Sequence, residues 1–189
     1  MTRQAGPTIN EEHLRQGSPT NTTFAETYPR YLCSVDNAIG ATGVCHATAV
    51  PLQCGDVVTH ITFITGGTAA GTPTAGFAAL YSSASTPALL GQTADFGSTA
   101  RAANTAYTVA LATPVTITAS GLYYVVISFT ATTVPTLRGI STGNAAVAGA
   151  IGLSAKVLAQ THGSGVGATA PATIATPTTV ATPCYFALT

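Results

Sequence analysis

The sequence predicts an all-β protein, a jelly-roll-like β-sandwich preceded by an extended N-terminal arm. Three observations support this fold class. Short runs of β-branched and aromatic residues recur between turn signals rich in Gly, Pro and Ser. No long stretch has helical periodicity. The charged residues are concentrated at the start of the 189-residue chain. We therefore expect an arm, residues 1–36, and a single body, residues 37–189.

The arm is predicted from its charges and its prolines. It contains seven charged residues, whereas the rest of the chain contains five. Pro7, Pro19 and Pro29 interrupt it. One short helix is expected at residues 10–16, where an Asn can cap the first turn and a Gly can follow the last. The arm has too little apolar surface to fold alone. Either it is mobile or it lies along a neighbouring subunit.

The body is predicted to consist of short strands. Residues 56–65 (DVVTHITFIT) alternate between two faces, and residues 122–130 (LYYVVISFT) form the strongest strand pattern. The other predicted strands are residues 77–82, 88–94, 107–111, 114–118, 135–140 and 184–188, with residues 31–35 and 43–52 as weaker candidates. Residues 151–160 fit either a strand or a short helix. Residues 161–183, rich in Gly, Ala, Thr and Pro, predict a long loop.

The composition excludes several classes of protein. Charged residues make up 6% of the chain, against about 25% in a typical soluble domain. A coiled coil needs many more charges, and a nucleic-acid binder needs a basic face. No uninterrupted apolar run reaches the length of about 18 residues that indicates a membrane-spanning helix. Residues 1–14 lack the apolar stretch of a secretory signal. We therefore expect a soluble protein made in a cytoplasm.

The cysteines are expected to be free thiols in the core rather than disulfides, because no export signal is recognised. They are Cys33, Cys45, Cys54 and Cys184. A zinc site would have to combine Cys45, His46 and Cys54 with a further ligand, but their spacing is not that of paired zinc ligands. Adjacent strand residues also point to opposite faces. We expect no metal ligands.

The residues that carry chemistry are few. Asp56 and Asp95 are the only carboxylates after residue 36, and both stand at turn-like positions. Residues 139–143 (GISTG) match a nucleophile motif around Ser141, but no carboxylate side chain follows it. The Gly-rich stretches 66–71 and 163–167 lack the Lys of a phosphate-binding loop. We expect no catalytic residues, no cofactor-binding residues and no cofactor.

The scarcity of ions instead favours assembly. A surface of Thr, Ser, Ala and Gly can be buried against another subunit with little desolvation of charges and little loss of side-chain entropy. Tyr28 and Tyr31 stand where the arm meets the body. On the strand at residues 122–130, Tyr123 and Tyr124 point to opposite faces. An outward-facing Tyr can contact a neighbouring subunit or a sugar.

Three stretches of the body share a common pattern of turns and strands. They are residues 65–83 (TGGTAAGTPTAGFAALYSS), 89–112 (LLGQTADFGSTARAANTAYTVALA) and 120–139 (SGLYYVVISFTATTVPTLRG). Together they resemble a β-sandwich module of virion proteins from tailed phages of actinobacteria. Proteins of this family are usually described as minor tail proteins, and some as head-associated or fibre proteins. An aromatic residue is expected before the AANT stretch, where this chain has Arg101.

The resemblance implies a non-enzymatic structural protein of the virion, similar to a minor tail protein, assembled in the host cytoplasm. Its expected partners are other virion proteins, contacted through the arm, and further copies of itself in a homo-oligomer such as a trimer. A host-surface glycan is a further expected partner, whereas nucleic acid and membrane insertion are not expected.

Three alternatives remain open. One is a capsid decoration or head fibre protein. Another is a carbohydrate-binding adhesin module, in which Tyr31, Tyr81, Tyr107 or Tyr124 would have to cluster on the surface. The last is a glycan-degrading tail enzyme, which would have to use the two carboxylates Asp56 and Asp95.

Overall fold

The computed structural model describes residues 25–149 and 156–189, and this part of the chain is almost entirely β, so the all-β prediction is confirmed. Its strands, in chain order, are β1 (Ala25–Glu26), β2 (Val35–Ala38), β3 (Cys45–Leu52), β4 (Val57–Ile64), β5 (Gly71–Tyr81), β6 (Leu89–Gln92), β7 (Ala106–Thr116), β8 (Gly121–Thr133), β9 (Thr136–Gly139), β10 (Ala159–His162), β11 (Thr178–Thr179) and β12 (Phe186–Leu188). A 3-10 turn (Arg30–Leu32) and a one-turn helix, α1 (Ala145–Ala148), complete the described elements. The helix predicted at residues 10–16 lies outside the described residues. No helix in the described ranges has the length and apolar character needed to cross a membrane.

Eight of the strands form two antiparallel sheets with jelly-roll connectivity. One sheet has the order β1-β12-β4-β7, and the other contains β3-β8-β5-β6 and is extended by β10 and β11. Counted one to eight along the chain, these strands follow the orders 1-8-3-6 and 2-7-4-5. This arrangement is the eight-stranded double-sheet jelly roll, as predicted. β2 and β9 form a separate two-stranded ribbon.

The main core lies between the two sheets. Because side chains alternate along a strand, Val125, Ile127 and Phe129 of β8 all point inward. They share the core with Phe63 of β4, whose ring centroid lies 6.1 Å from that of Phe129 and 5.8 Å from that of Phe96. Tilted and edge-on aromatic contacts of this kind stabilise a core beyond their buried area.

The two strands predicted at residues 107–111 and 114–118 are one strand, β7, with a bulge. β4 pairs Val58 with Val115 but His60 with Ala110, so β7 carries extra residues between these two pairs. Pro114 lies in this bulge, where its missing N–H breaks no ladder hydrogen bond.

Residues 25–36, which the sequence analysis placed in the arm, contain strands that pair within the body. β1 pairs with β12 through Ala25 and Glu26, and β2 pairs with β9 from Val35 onwards. Of the strand predicted at residues 31–35, only Val35 is in a strand, because the 3-10 turn occupies its first part.

The outer face of the six-stranded sheet is also apolar, and residues 156–180, here called the cover segment, pack against it. Its buried residues are Cys45, Ala47, Ala49, Phe77, Ala79, Tyr81, Tyr124 and Val126, joined by Ala170 and Ile174 of the cover segment. The Tyr81 hydroxyl donates to the Pro171 carbonyl at 2.6 Å, and the Tyr124 hydroxyl donates to the Val157 carbonyl at 2.9 Å. Most of the loop predicted at residues 161–183 is therefore a second layer, and both Tyr123 and Tyr124 are buried.

Truncating the side chain of Ile174 tests this layer. Ile174 is 2% exposed, so Ile174→Ala should lower the free energy of unfolding by about 2–4 kcal/mol, measured by urea denaturation. The control is Thr173→Ala at its exposed neighbour, which should change stability by less than about 0.5 kcal/mol. Equal, small effects of both variants would show that the cover segment does not pack on the sheet.

Candidate functional site

A buried carboxylate fixes the place where residues 1–24 join the body. Glu26 on β1 is fully buried. Its Oε1 accepts hydrogen bonds from Arg30 Nε at 2.9 Å and from the Tyr185 hydroxyl at 3.1 Å, and Arg30 Nη2 donates to the same atom. A carboxylate is costly to remove from water unless it is paired in this way. The contacts of Glu26 with Arg30 and Tyr185 therefore hold residues 26–30 against the start of β12.

Burial disfavours the thiolate form of the two cysteines near this carboxylate. Burial, with the Glu26 charge as a smaller cause, raises the pKa of the Cys33 thiol to about 11. Burial also raises the pKa of Cys184. Both thiols are therefore protonated, and the thiolate is the nucleophilic form. All four cysteines are free. The predicted core position is confirmed for Cys45 and Cys184, whereas Cys54 is exposed and Cys33 is half-buried.

An exposed apolar surface lies directly after the buried carboxylate. Tyr31, Leu32 and Val35 have exposed fractions of 73%, 50% and 37%, and we call these three residues the junction surface. The 3-10 turn buries none of its residues and ends with the Cys33 amide donating to the Arg30 carbonyl. Large apolar side chains grouped on a surface mark a contact site more often than scattered ones do.

The neighbouring charges on β2 and β9 are paired with each other. Arg138 Nη1 lies 2.8 Å from Asp36 Oδ1, and Arg138 Nη2 donates to Asn104 Oδ1 at 2.7 Å. The second carboxylate oxygen of Asp36 accepts the Gly67 amide at 2.6 Å. A Cβ at Gly66 would lie 2.5 Å from Thr136 Oγ1. The Gly-rich stretch at residues 66–71 thus begins with a tight turn whose amide is occupied by the chain's own carboxylate.

The two carboxylates considered for glycan hydrolysis lie far apart. Asp56 precedes β4 and accepts the Gln53 amide at 2.8 Å. Asp95 accepts the amides of Gly76 and Gly97 and adjoins Phe96, which contacts Phe63 near the other end of β4. At about 3.3 Å per residue, these two ends of the strand are roughly 20 Å apart. A retaining or inverting pair stands about 5–9.5 Å apart, so these residues do not form one. Both serve turns, as predicted.

The other motif matches are also accounted for by local structure. Ser141 Oγ accepts the Gly143 amide at 3.2 Å in the connection between β9 and α1. That connection is several residues long, whereas a nucleophile elbow is a sharp turn from strand to helix. In the stretch at residues 163–167, the Val166 amide donates to the Gly43 carbonyl and its carbonyl accepts the Thr130 hydroxyl. These bonds fasten the cover segment to the sheet.

The tyrosines proposed for a sugar-binding cluster do not share an exposed surface. Tyr81 and Tyr124 are 0% and 3% exposed beneath the cover segment, and only Tyr31 is largely exposed. Tyr107 is half-buried against the side chain of Arg101.

Arg101 takes the position where the resemblance predicts an aromatic residue. Its guanidinium carbon lies 5.0 Å from the Phe96 ring centroid and 4.7 Å from that of Tyr107. The side chain is 7% exposed, and this burial lowers the pKa of its guanidinium. A planar guanidinium can stack on aromatic faces. Arg101 is therefore a core contact of the aromatic cluster.

The histidines and cysteines are dispersed. Cys45 belongs to the outer cluster under the cover segment, whereas the Nε2 atom of His46 lies 3.4 Å from Thr182 Oγ1, so the two side chains point to opposite faces as alternation predicts. Within the described ranges, no group of three His, Cys, Asp or Glu residues is placed to hold a metal ion. His13 lies outside the described residues.

One concave site was not predicted from the sequence. Residues 84–87, between β5 and β6, face Lys156 and Gln160 across a cleft of about 290 Å³. Lys156 is the single lysine of the chain, which is the one signal that the sequence offers. The residues opposite Lys156 in the cleft lie some 70 positions earlier in the chain. The cover segment places Lys156 beside them.

No protein-family model matches the chain, and neither does any curated protein.

The pH dependence of stability tests the burial of His46. Burial lowers the pKa of His46 to about 4, whereas an unfolded histidine titrates near about 6.5. The unfolded chain therefore binds the extra proton first, and the native state loses up to about 3 kcal/mol as the pH falls from 6.5 to 4. The free energy of unfolding, measured by urea denaturation at several pH values in this range, should fall less steeply with falling pH for His46→Gln than for the wild type. The same pH dependence of the unfolding free energy in the wild type and in His46→Gln would contradict the burial of His46.

Proposed function

We propose that the chain is a non-enzymatic structural protein of a phage virion, similar to a minor tail protein, that assembles through its N-terminal residues. The observation that carries the proposal is the junction surface. It exposes Tyr31, Leu32 and Val35 close to the point where residues 1–24 enter the body. Exposed apolar side chains at that position let the preceding residues and the body bind the same neighbour, which raises the affinity through two linked contacts.

The fold supports the proposal by analogy. Double-sheet jelly rolls are the architecture of many viral capsid and lectin domains. A fold alone does not define a function. The analogy gains weight here because the body has the strand order of that architecture and a surface almost without free ions.

The contact partner that fits the junction surface most directly is another copy of the chain. Most soluble homo-oligomers have closed symmetry, in which one patch meets a patch on an identical subunit. We propose a symmetric homo-oligomer such as a trimer, which would attach to other virion proteins and contribute to host attachment. Its location is the virion, after assembly in the host cytoplasm.

A capsid decoration or head fibre protein would use the same surface. The jelly-roll topology is as compatible with a capsid decoration protein as with a tail protein. The copy number per particle separates them, because a decoration protein covers many repeated capsid sites and a tail protein is present in few copies.

Replacing two residues of the junction surface tests the assembly. Tyr31→Ser combined with Leu32→Ser should weaken self-association of the full chain at least about tenfold in sedimentation velocity, since burying such side chains contributes about 1.5–3 kcal/mol each. Both side chains are exposed, so the melting temperature should be unchanged. The matched control is Val147→Ser on α1, where the side chain is 57% exposed. The proposal fails if the wild type is monomeric up to about 100 µM, or if Val147→Ser has the same effect.

A further inference from the structure

The cleft beneath the cover segment presents a cation beside apolar walls. Lys156, at the start of the second described range, donates from Nζ to the Ser83 carbonyl at 2.6 Å. Tyr124 and Gln160 form part of the lining, and Pro87 and Pro177 stand at its sides. A volume of about 290 Å³ is at the lower end of the range for ligand pockets and suits one ring-sized molecule.

The ammonium group of Lys156 has no acidic partner among the described residues. None of the residues that line the cleft is acidic. The other cations of the body are placed elsewhere: Arg30 is paired with Glu26, Arg138 with Asp36, and Arg101 is stacked on two rings. A lysine ammonium has three N–H donors, and the Ser83 carbonyl accepts only one. The group that complements this cleft is therefore an anion.

The remaining lining is suited to a hydroxylated ring. Tyr124 is 3% exposed and its hydroxyl is bonded to the Val157 carbonyl, so it contributes only a small apolar part of the lining. Gln160 is on β10, opposite Ala47 of β3, and faces the same outer side of the sheet. Its amide supplies both a donor and an acceptor, and the Ser85 hydroxyl adds a second polar group at the same cleft. Sugars combine an apolar ring face with hydroxyl groups and match such a wall.

We propose that this cleft binds an acidic monosaccharide unit, a sugar that carries a carboxylate or a phosphate. The anion lies at the Lys156 ammonium, the ring packs against the accessible apolar lining that Pro177 and Val157 provide, and the hydroxyls bond to Ser85 and to the part of the Gln160 amide that the cleft reaches. The inference does not depend on the virion assignment, because it rests on the cleft alone. The competing explanation is that Lys156 only ties the cover segment to the loop after β5.

Titration of the full, isotope-labelled chain by NMR tests the proposal. Glucuronate and glucose 6-phosphate are the two acidic probes, and glucose is the neutral one. At least one acidic probe should shift the amide signals of Val157 and Gln160 saturably, with at least about tenfold higher affinity than glucose. The acidic probe that binds more tightly identifies the anion. Inorganic phosphate should bind at least about tenfold more weakly than the tighter sugar.

Three variants separate the two explanations. Lys156→Gln should abolish the preference for the acidic sugar, and Lys156→Arg should keep it within a few-fold. The matched control Arg138→Gln removes a cation paired with Asp36 and should leave binding unchanged. If Lys156→Gln fails to fold, Lys156→Arg and the comparison of probes on the wild type still decide. The proposal is overturned if no sugar saturates the shifts, if glucose or inorganic phosphate binds as tightly, or if Lys156→Gln leaves the preference intact.

Discussion

Most of the few charged side chains of the body make their contacts within it, and the character of its surface follows from this constraint. Among these contacts are Glu26 with Arg30, Asp36 with Arg138, Asp95 with the amides of Gly76 and Gly97, and Arg101 with two aromatic rings. What remains exposed is mostly Thr, Ala, Ser and Gly, as on the outer positions of β7. Such a surface loses little hydration energy when it is covered. The proposed contact with another subunit relies on this property.

The six-stranded sheet has few polar side chains on either face, so both of its faces must be covered. β8 lies in the middle of the six-stranded sheet and is apolar on both faces, with Val125 and Ile127 toward the main core and Tyr124 and Val126 toward the outside. A sheet with two apolar faces requires a layer on each. The cover segment provides the second layer, and small residues let its backbone run close to the sheet. The cleft around Lys156 is formed where this layer begins.

Local sequence patterns predicted the positions of most strands. They did not predict contacts between residues that are far apart in the chain. β4 and β8 follow from alternation and from β-branched residues, which are properties of neighbouring positions. The fusion of two predicted strands into β7 depends on a bulge between its pairs with Val58 and His60 of β4, and the sequence of β7 alone does not indicate this pairing. Residues 161–183 were predicted as a loop from their Gly, Ala, Thr and Pro content, and this composition does not indicate that Ala170 and Ile174 pack on the sheet. The pairing of β1 with β12 joins residues more than 150 positions apart, so the limit of the arm at residue 36 could not be refined from composition. The junction surface was indicated only through Tyr31.

Retention in purified particles is the direct test of assembly into a virion through apolar contacts. Phage particles that carry the gene for this chain would be washed in about 1 M NaCl, at which the Debye length is about 3 Å and ionic contacts are screened. The chain would then be quantified by mass spectrometry. Because the proposed contacts are mainly apolar, we expect the same number of copies per particle before and after the wash. Absence of the chain from the particles, or its release by salt, would contradict it.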